Sequence, residues 1–282
     1  MKIVVASGKG GVGKSMLASS LVLLFSKEGK VVACDCDVDA PNLGLWLGVT
    51  EYDKREKIST SKKARIIDQS KCDKKILDVC RFGAIEKTDG RYKINSMLCE
   101  GCGACKVLYP NAVELKLVKN GEIRVKKTKY GFLICAQLYP GETGSGKIVE
   151  ELKRRAESYC ENCNVIIDAA AGIGCPVITS VRGANFAVLV TEPTPSGFSD
   201  LKRILEIVDH FQIPYSVVIN KWNINPNMAK EIEDWCGEKF LGKLSYDKTV
   251  IDSIVNLQPV LYSSSKIVEE IKKVFKNLKN EI

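Results

Sequence analysis

Short apolar runs alternate with amphipathic stretches along this chain, and that rhythm predicts its architecture. Residues 3–6 form an apolar run of strand length, and Leu17, Leu21, Leu24 and Phe25 follow at helical spacing. Gly29-Lys30 closes this first unit, and residues 31–34 read as a second buried strand. Further on, residues 164–168, 187–191 and 215–219 are strand-like, and the last two each lead into a helix. Strands alternating with helices predict an α/β fold with a mostly parallel sheet flanked by helices. The last predicted helix, residues 266–282, carries Ile267, Ile271, Val274, Phe275 and Leu278 on one face and lysines on the other. That face is long enough to pack on the chain's own sheet, so membrane contact is not expected.

The rhythm breaks once. Between residues 51 and 65 the chain turns lysine-rich and loses periodicity, which reads as an exit from the sheet into an insert. The return is predicted as a β-ribbon, residues 113–118 and 123–125, turning at Asn120-Gly121. Gly141-Glu-Thr-Gly-Ser-Gly146 reads as a turn and cap for a helix over residues 147–158. The expected organisation is thus a first part at 1–60, an inserted domain at 61–115 and a second part at 116–282.

With 282 residues, 45% hydrophobic and 27% charged, the chain can bury a large core. No apolar run approaches the roughly 18 residues of a membrane span, and Lys2 followed at once by a strand is unlike a signal peptide. A cytoplasmic protein is expected. The net charge of +8 comes from lysines scattered among glutamates, which reads as a solvated surface and not a nucleic-acid footprint. The twelve cysteines carry more information. In a cytosolic chain clustered cysteines read as metal or redox ligands.

The sharpest motif is Ser7-Gly8-Lys9-Gly10-Gly11-Val12-Gly13-Lys14-Ser15, between the first strand and first helix. Its glycines let backbone N–H groups turn inward around phosphate oxygens. Lys14 supplies a cation for the β- and γ-phosphates and the Ser15 hydroxyl a Mg²⁺ ligand. The second lysine, Lys9, makes this loop resemble the deviant Walker A motif of the MinD, ParA and nitrogenase-iron-protein superfamily. The resemblance implies an ATP-dependent homodimer in which Lys9 reaches across to the partner's nucleotide, like an arginine finger.

The resemblance extends to Asp35-Cys-Asp37-Val-Asp39-Ala-Pro-Asn-Leu43, which is similar to a switch I segment. It implies that Asp37 positions the attacking water, with Asp39 or Asp35 as competing choices and Asp39 also a Mg²⁺ ligand. Acids at the carboxyl end of a strand should face the phosphates. Asp168-Ala-Ala-Ala-Gly172 is similar to switch II, with Asp168 in the Mg²⁺ shell and Gly172 sensing the γ-phosphate. Glu192-Pro-Thr-Pro195 and Asn220-Lys221 match base-recognition positions, which implies that Asn220 selects ATP over GTP.

Inside the insert, Cys99-Glu-Gly-Cys102-Gly-Ala-Cys105 precedes Tyr109-Pro110, and Cys80 ends an earlier partial run. The pattern resembles bacterial-type ferredoxins, with Tyr109 in place of a fourth cysteine. In two-cluster ferredoxins the fourth cysteine of each run ligates the other cluster. That implies one [4Fe–4S] cluster on Cys80, Cys99, Cys102 and Cys105, its second counterpart being lost as a unit. Four thiolates also suit zinc, but two x₂ spacings followed by proline favour the cluster. Cys72 is a remnant or a spare ligand. Cys175, three residues beyond Gly172, is a candidate redox or metal ligand, and Cys160 and Cys163 read as structural thiols. Cys34 and Cys36 read as small buried residues.

Together these features imply a MgATP-hydrolysing MinD-like ATPase with an inserted ferredoxin domain, coupling a nucleotide-dependent dimer to electron transfer with a redox or metalloprotein partner. The alternatives are an ATP-dependent carrier or maturation factor for a cluster or metal, and a positioning ATPase that senses redox state.

Overall fold

The structure is a computed structural model in which residues 1–159 and 161–282 are described. Strand β1 (Lys2–Ser7) leads through the glycine loop into α1 (Lys14–Ser26), and β2 (Val31–Cys36) into the short α2 (Leu43–Trp46). Strands β3 (Lys54–Ile58) and β4 (Ser61–Ile66) follow. Then come α3 (Ile76–Val79), β5 (Ile85–Thr88), β6 (Arg91–Ile94), α4 (Ala104–Leu108) and β7 (Val113–Val118). The hairpin β8 (Gly121–Thr128) and β9 (Gly131–Leu138) opens onto α5 (Ser145–Ser158), β10 (Asn164–Ala171) and α6 (Cys175–Val181). Next are β11 (Phe186–Thr191), α7 (Pro195–His210), β12 (Tyr215–Asn220) and α8 (Pro226–Cys236). The chain ends with β13 (Phe240–Leu244), α9 (Lys248–Val255) and α10 (Lys266–Glu281).

The main sheet runs β13-β12-β11-β1-β10-β2-β9-β8-β3. From β13 to β9 every neighbour is parallel, and β8 and β3 extend one edge antiparallel. The predicted parallel α/β sheet is therefore present. Because β1 lies between β10 and β11, the glycine loop leaves the middle of the carboxyl edge, where open α/β sheets bind ligands.

Period-two alternation divides the interior in two. Val4, Ala6, Ile167, Leu189 and Ile219 join a core on one face with α5, α7 and α8, while Ile3, Val5, Ile166, Val188 and Val218 join the other with α1 and α10. Helix α1 is buried along almost its whole length, which suits its lack of a polar face. Ile267, Ile271, Val274 and Leu278 of α10 lie in this second core, and Phe275 meets Phe25 edge-on at 4.9 Å. The apolar face of α10 is thus turned onto its own body.

Two local expectations are corrected. The chain does not leave the main sheet at once over residues 51–65, since they supply β3, its edge strand, before β4 begins. Strand β3 reads Lys-Arg-Glu-Lys-Ile because it is a sheet edge, where charge is tolerated on both faces. Asn120-Gly121 is not a hairpin turn. Strand β7 pairs with β4 and β8 with β9, in different sheets, and Asn120 lies fully buried between them. The Asn120 carboxamide accepts from the Thr60 N–H at 2.8 Å and donates to the Thr143 carbonyl at 2.9 Å. The two-residue hairpin in this region is Asp89-Gly90 between β5 and β6, with φ of 52° and 75°.

Residues from β4 to β7 carry their own small core of Ile76, Ile85, Tyr92, Ala112 and Val113. Strand β7 runs to Val118, three residues past the boundary expected at 115. The seam with the main sheet is held by Lys63, only 7% exposed. Its ammonium donates to the Ser96 carbonyl at 2.6 Å and lies 3.0 Å from the Glu142 carboxylate.

Replacing Asn120 by alanine leaves the Thr60 N–H and the Thr143 carbonyl without partners. The expected cost is about 2–3 kcal/mol, read as a lower urea midpoint at unchanged m-value. A shift below about 0.5 kcal/mol would show that Asn120 does not hold this junction.

Candidate functional site

The loop from Gly8 to Ser15 is shaped by what surrounds it. Gly11 and Gly13 have φ of 78° and 94°, in the left-handed region that glycine enters without a steric penalty. A Cβ on Gly8 would overlap the Asp200 carbonyl of α7, and one on Gly13 would overlap the Asn220 amide. The loop therefore sits hard against the starts of the segments after β11 and β12.

Lys14 and Ser15 begin α1, and both are nearly buried. The Lys14 ammonium is 3.6 Å from the carboxylate of Asp168, in the second half of β10. Asp168 is fully buried, and neither of its oxygens accepts a hydrogen bond. Burial pushes this carboxyl up, against the opposing charge of Lys14. A buried acid with free lone pairs beside a phosphate-type loop suits a divalent cation shared with Ser15. Gly172 follows with φ of 93°, its N–H bonded to the Ser7 carbonyl at 3.1 Å.

The three acids after β2 separate by environment. Asp35 is 1% exposed and accepts the N–H groups of Leu43 at 2.9 Å and Asp37 at 3.1 Å. It shapes the loop from inside, and burial and then the nearby Asp168 push it well up. Asp37 lines the hollow over the loop with Gly10, Gly13, Lys14, Ser15 and Trp46. Burial raises its carboxyl, and the Ala40 N–H and Lys14 oppose that shift. Asp39 is exposed and does not reach the hollow.

Lys9 does not point over its own loop. Its ammonium is 2.7 Å from Glu192 Oε1 and 3.3 Å from Ser196 Oγ. Asn220, at the end of β12, donates its amide to the Val12 carbonyl at 2.8 Å and accepts the Lys221 N–H at 2.9 Å. It clamps the loop in this state. Beside it a second hollow, continuous with the first through Gly11, Gly13, Met16 and Trp46, is closed by Tyr246, Val250 and Ile251. Its apolar and aromatic lining suits a planar base. Trp46, Tyr246 and Val250 were not legible as site residues, since α2 and the loop after β13 carry no motif.

In the insert, Cys80, Cys99, Cys102 and Cys105 all line one apolar hollow with Ala64, Phe82, Ile85 and Ile94. The sulfur of Cys99 accepts the Ala64 N–H at 3.4 Å, and that of Cys80 the Ala84 N–H at 3.3 Å. Burial raises the Cys105 thiol, and the nearby Cys99 and Cys102 add to that shift. Gly101 and Gly103 have φ of 67° and 83°, and a Cβ on Gly101 would overlap the Lys62 carbonyl of β4. Among the described residues no three His, Cys, Asp or Glu side chains converge on a single metal-ion position.

The remaining cysteines lie elsewhere. Cys72 donates to the Asp68 carbonyl at 3.4 Å in the insert's small core, and Tyr109 donates to Asp73 at 2.6 Å. Cys175 is exposed at the start of α6, against Gly146 of α5. Cys34 and Cys36 are buried with their sulfurs 3.6 Å apart. Cys163 is buried just before β10, at the amino end of the sheet, and Cys160 lies outside the described residues.

Residues 3–260 match the CobQ/CobB/MinD/ParA nucleotide binding domain. An uncharacterized protein of Methanocaldococcus jannaschii is 39% identical over 283 residues, spanning 100% of this chain and 98% of its own. Among solved structures, the cell division ATPase MinD of Pyrococcus furiosus shares the fold with a TM-score of 0.61 at 17% identity. That likeness covers 99% of this chain and 98% of the other. The septum site-determining protein MinD of Pyrococcus horikoshii, complexed with Mg-ADP, gives 0.60 at 17% identity over 98% and 95%. No described helix is long and apolar enough to cross a membrane.

If the second hollow takes the base, Trp46→Ala should weaken nucleotide binding by about tenfold, the scale of one lost stacking contact. Wild-type tryptophan emission should change on adding ATP, and that change should vanish in the variant. An unaltered affinity would remove Trp46 from the site.

Proposed function

The chain belongs to the CobQ/CobB/MinD/ParA family of nucleotide-binding proteins, and from that premise we propose a MgATP-hydrolysing dimer that couples turnover to one-electron transfer through its insert. The P-loop ATPase assignment at family level follows from the match over residues 3–260. What lies beyond it, the cluster, the dimer and the redox partner, is the proposed part.

In this reading Lys14 and the loop N–H groups hold the phosphates, and Ser15 with Asp168 holds Mg²⁺. Asp39 would join that shell only by moving inward from its exposed loop. Asp37, placed in the hollow with a carboxyl raised by burial, orients the attacking water. Lys9 leaves Glu192 to reach the partner's nucleotide, and Asn220 reads the base with the N–H that Val12 does not occupy. The homologous MinD of P. horikoshii was obtained with Mg-ADP, which supports the nucleotide and metal.

The observation that carries the redox half is the meeting of Cys80, Cys99, Cys102 and Cys105 in one apolar hollow. Cys80 lies before β5, Cys99 and Cys102 lie in the loop after β6, and Cys105 lies in α4. The order β4-α3-β5-β6-α4-β7, with β4 paired to β7, is that of a split βαβ ferredoxin-like unit and supports an inserted ferredoxin domain. Zinc draws four thiolates to one centre, whereas a cubane cluster takes one at each of four irons and needs them further apart. The N–H groups of Ala64 and Ala84 would stabilise ligating thiolates. When bound, the cluster supplies a one-electron carrier.

Anaerobically purified protein should contain about four iron and four acid-labile sulfide per chain, with a single S = 1/2 signal after dithionite reduction. Cys99→Ser should lose that content, and Cys72→Ser, outside the hollow, should keep it. Zinc or no metal would end the redox reading. Identical cluster potentials with and without MgATP would end the coupling. A fall in iron content with Cys175→Ser would favour the carrier reading, since Cys175 is exposed and outside the hollow.

A further inference from the structure

Glu192 stands at the end of β11, followed by Pro193, with its side chain only 15% exposed. Two ammonium groups close on it from different parts of the chain. Lys9 Nζ is 2.7 Å from Oε1 and Lys221 Nζ is 3.2 Å from Oε2. Lys221 also donates to the Gly11 carbonyl at 2.9 Å, so one carboxylate links the start of the phosphate loop to its middle. The surroundings leave little slack. Gly197 has no room for a Cβ against the Glu192 carbonyl, its N–H is held by Thr194 at 3.0 Å, and Lys221 is fixed with φ of 57°.

Charge keeps the group together at neutral pH. Burial pushes the Glu192 carboxyl up, but hydrogen bonds from Lys9 and Lys221 outweigh it and the net shift is downward. The Lys9 ammonium is raised, chiefly by its hydrogen bond to Glu192. Lys9 is therefore fully engaged inside its own chain and turned away from the phosphate hollow, which it does not line.

We propose that Glu192 is a positioning residue that withholds Lys9, so that dimer closure must exchange the Glu192 carboxylate for the partner's nucleotide phosphates. This rests on the dimeric ATPase reading above. The second lysine explains how the exchange is affordable in a half-buried place. When Lys9 leaves, Lys221 remains 3.2 Å from the carboxylate, so no buried charge is stranded. A polyphosphate carries more negative charge than one carboxylate, so nucleotide tips the competition that Glu192 wins in its absence.

The test is ATP turnover as a function of protein concentration for wild type and Glu192→Gln, which keeps the shape and removes the charge. The expected result is half-maximal turnover at about fivefold lower protein concentration. In a Lys9→Ala background, the same substitution should leave ATP-dependent dimerisation, measured by sedimentation, unshifted. An unchanged concentration dependence would overturn the proposal. So would a lower saturating rate, which would mean that Glu192 holds Lys9 for catalysis. If Glu192→Gln does not fold, Glu192→Asp, too short to reach both lysines, should show the same shift in concentration dependence, and its absence would equally overturn the proposal. Wild-type protein that neither hydrolyses ATP nor dimerises with it would instead sink the ATPase reading itself, and this inference with it.

Discussion

The close approach of the glycine loop to α7 and to the carboxyl end of β12 is the contact on which the nucleotide face depends. Gly8 lies against the Asp200 carbonyl and Gly13 against the Asn220 amide, with no room for a Cβ at either position. With the loop pressed in, Asn220 can donate to the Val12 carbonyl, and Lys221 to that of Gly11. The loop is thus preorganised by neighbouring strands and not by its own sequence alone. Preorganisation of this kind spares the ordering cost that a free glycine loop would meet on binding phosphate.

Behind the loop, two buried acids carry the electrostatic cost of the site. Asp35 satisfies itself with backbone N–H groups, whereas Asp168 is left with open lone pairs beside Lys14. The difference separates a carboxylate held by the backbone from one that accepts no hydrogen bond. Around them, α1 is buried on nearly every side because the sheet lies on one flank and α10 on the other. A nucleotide site mounted on such a helix is stiff at its base, and what can move is the rim: Asp39, Lys9 and the loop after β13.

The insert is attached by polar groups in unusual depth. Lys63 and Asn120 are both buried, and each bridges the small sheets to the loop before α5. That loop leads into Gly146, which touches Cys175 at the start of α6, three residues beyond Gly172. The elements carrying the cysteine hollow and the nucleotide hollow thus meet through the loop before α5 and the start of α6.

The sequence by itself determined the parallel α/β sheet and the glycine loop between its first strand and first helix. Each is written in local periodicity or spacing, which survives without knowledge of distant partners. The Asn120-Gly121 and Asp89-Gly90 pairs show the limit of that. Both are hairpin signals, yet only the second turns a hairpin, because burial between two sheets decided the fate of the first. The strand in Lys54–Ile58 was hidden for the converse reason, since an edge strand needs no apolar pattern. Only the tertiary structure decided that Lys9 and Lys221 share Glu192, that Trp46 and Tyr246 flank one hollow, and that Asp168 faces Lys14 without accepting a hydrogen bond. Those relations join residues up to 212 positions apart in the chain (Glu192 and Lys9 by 183, Lys221 and Lys9 by 212), and only the packed sheet brings such distant side chains within a few ångströms.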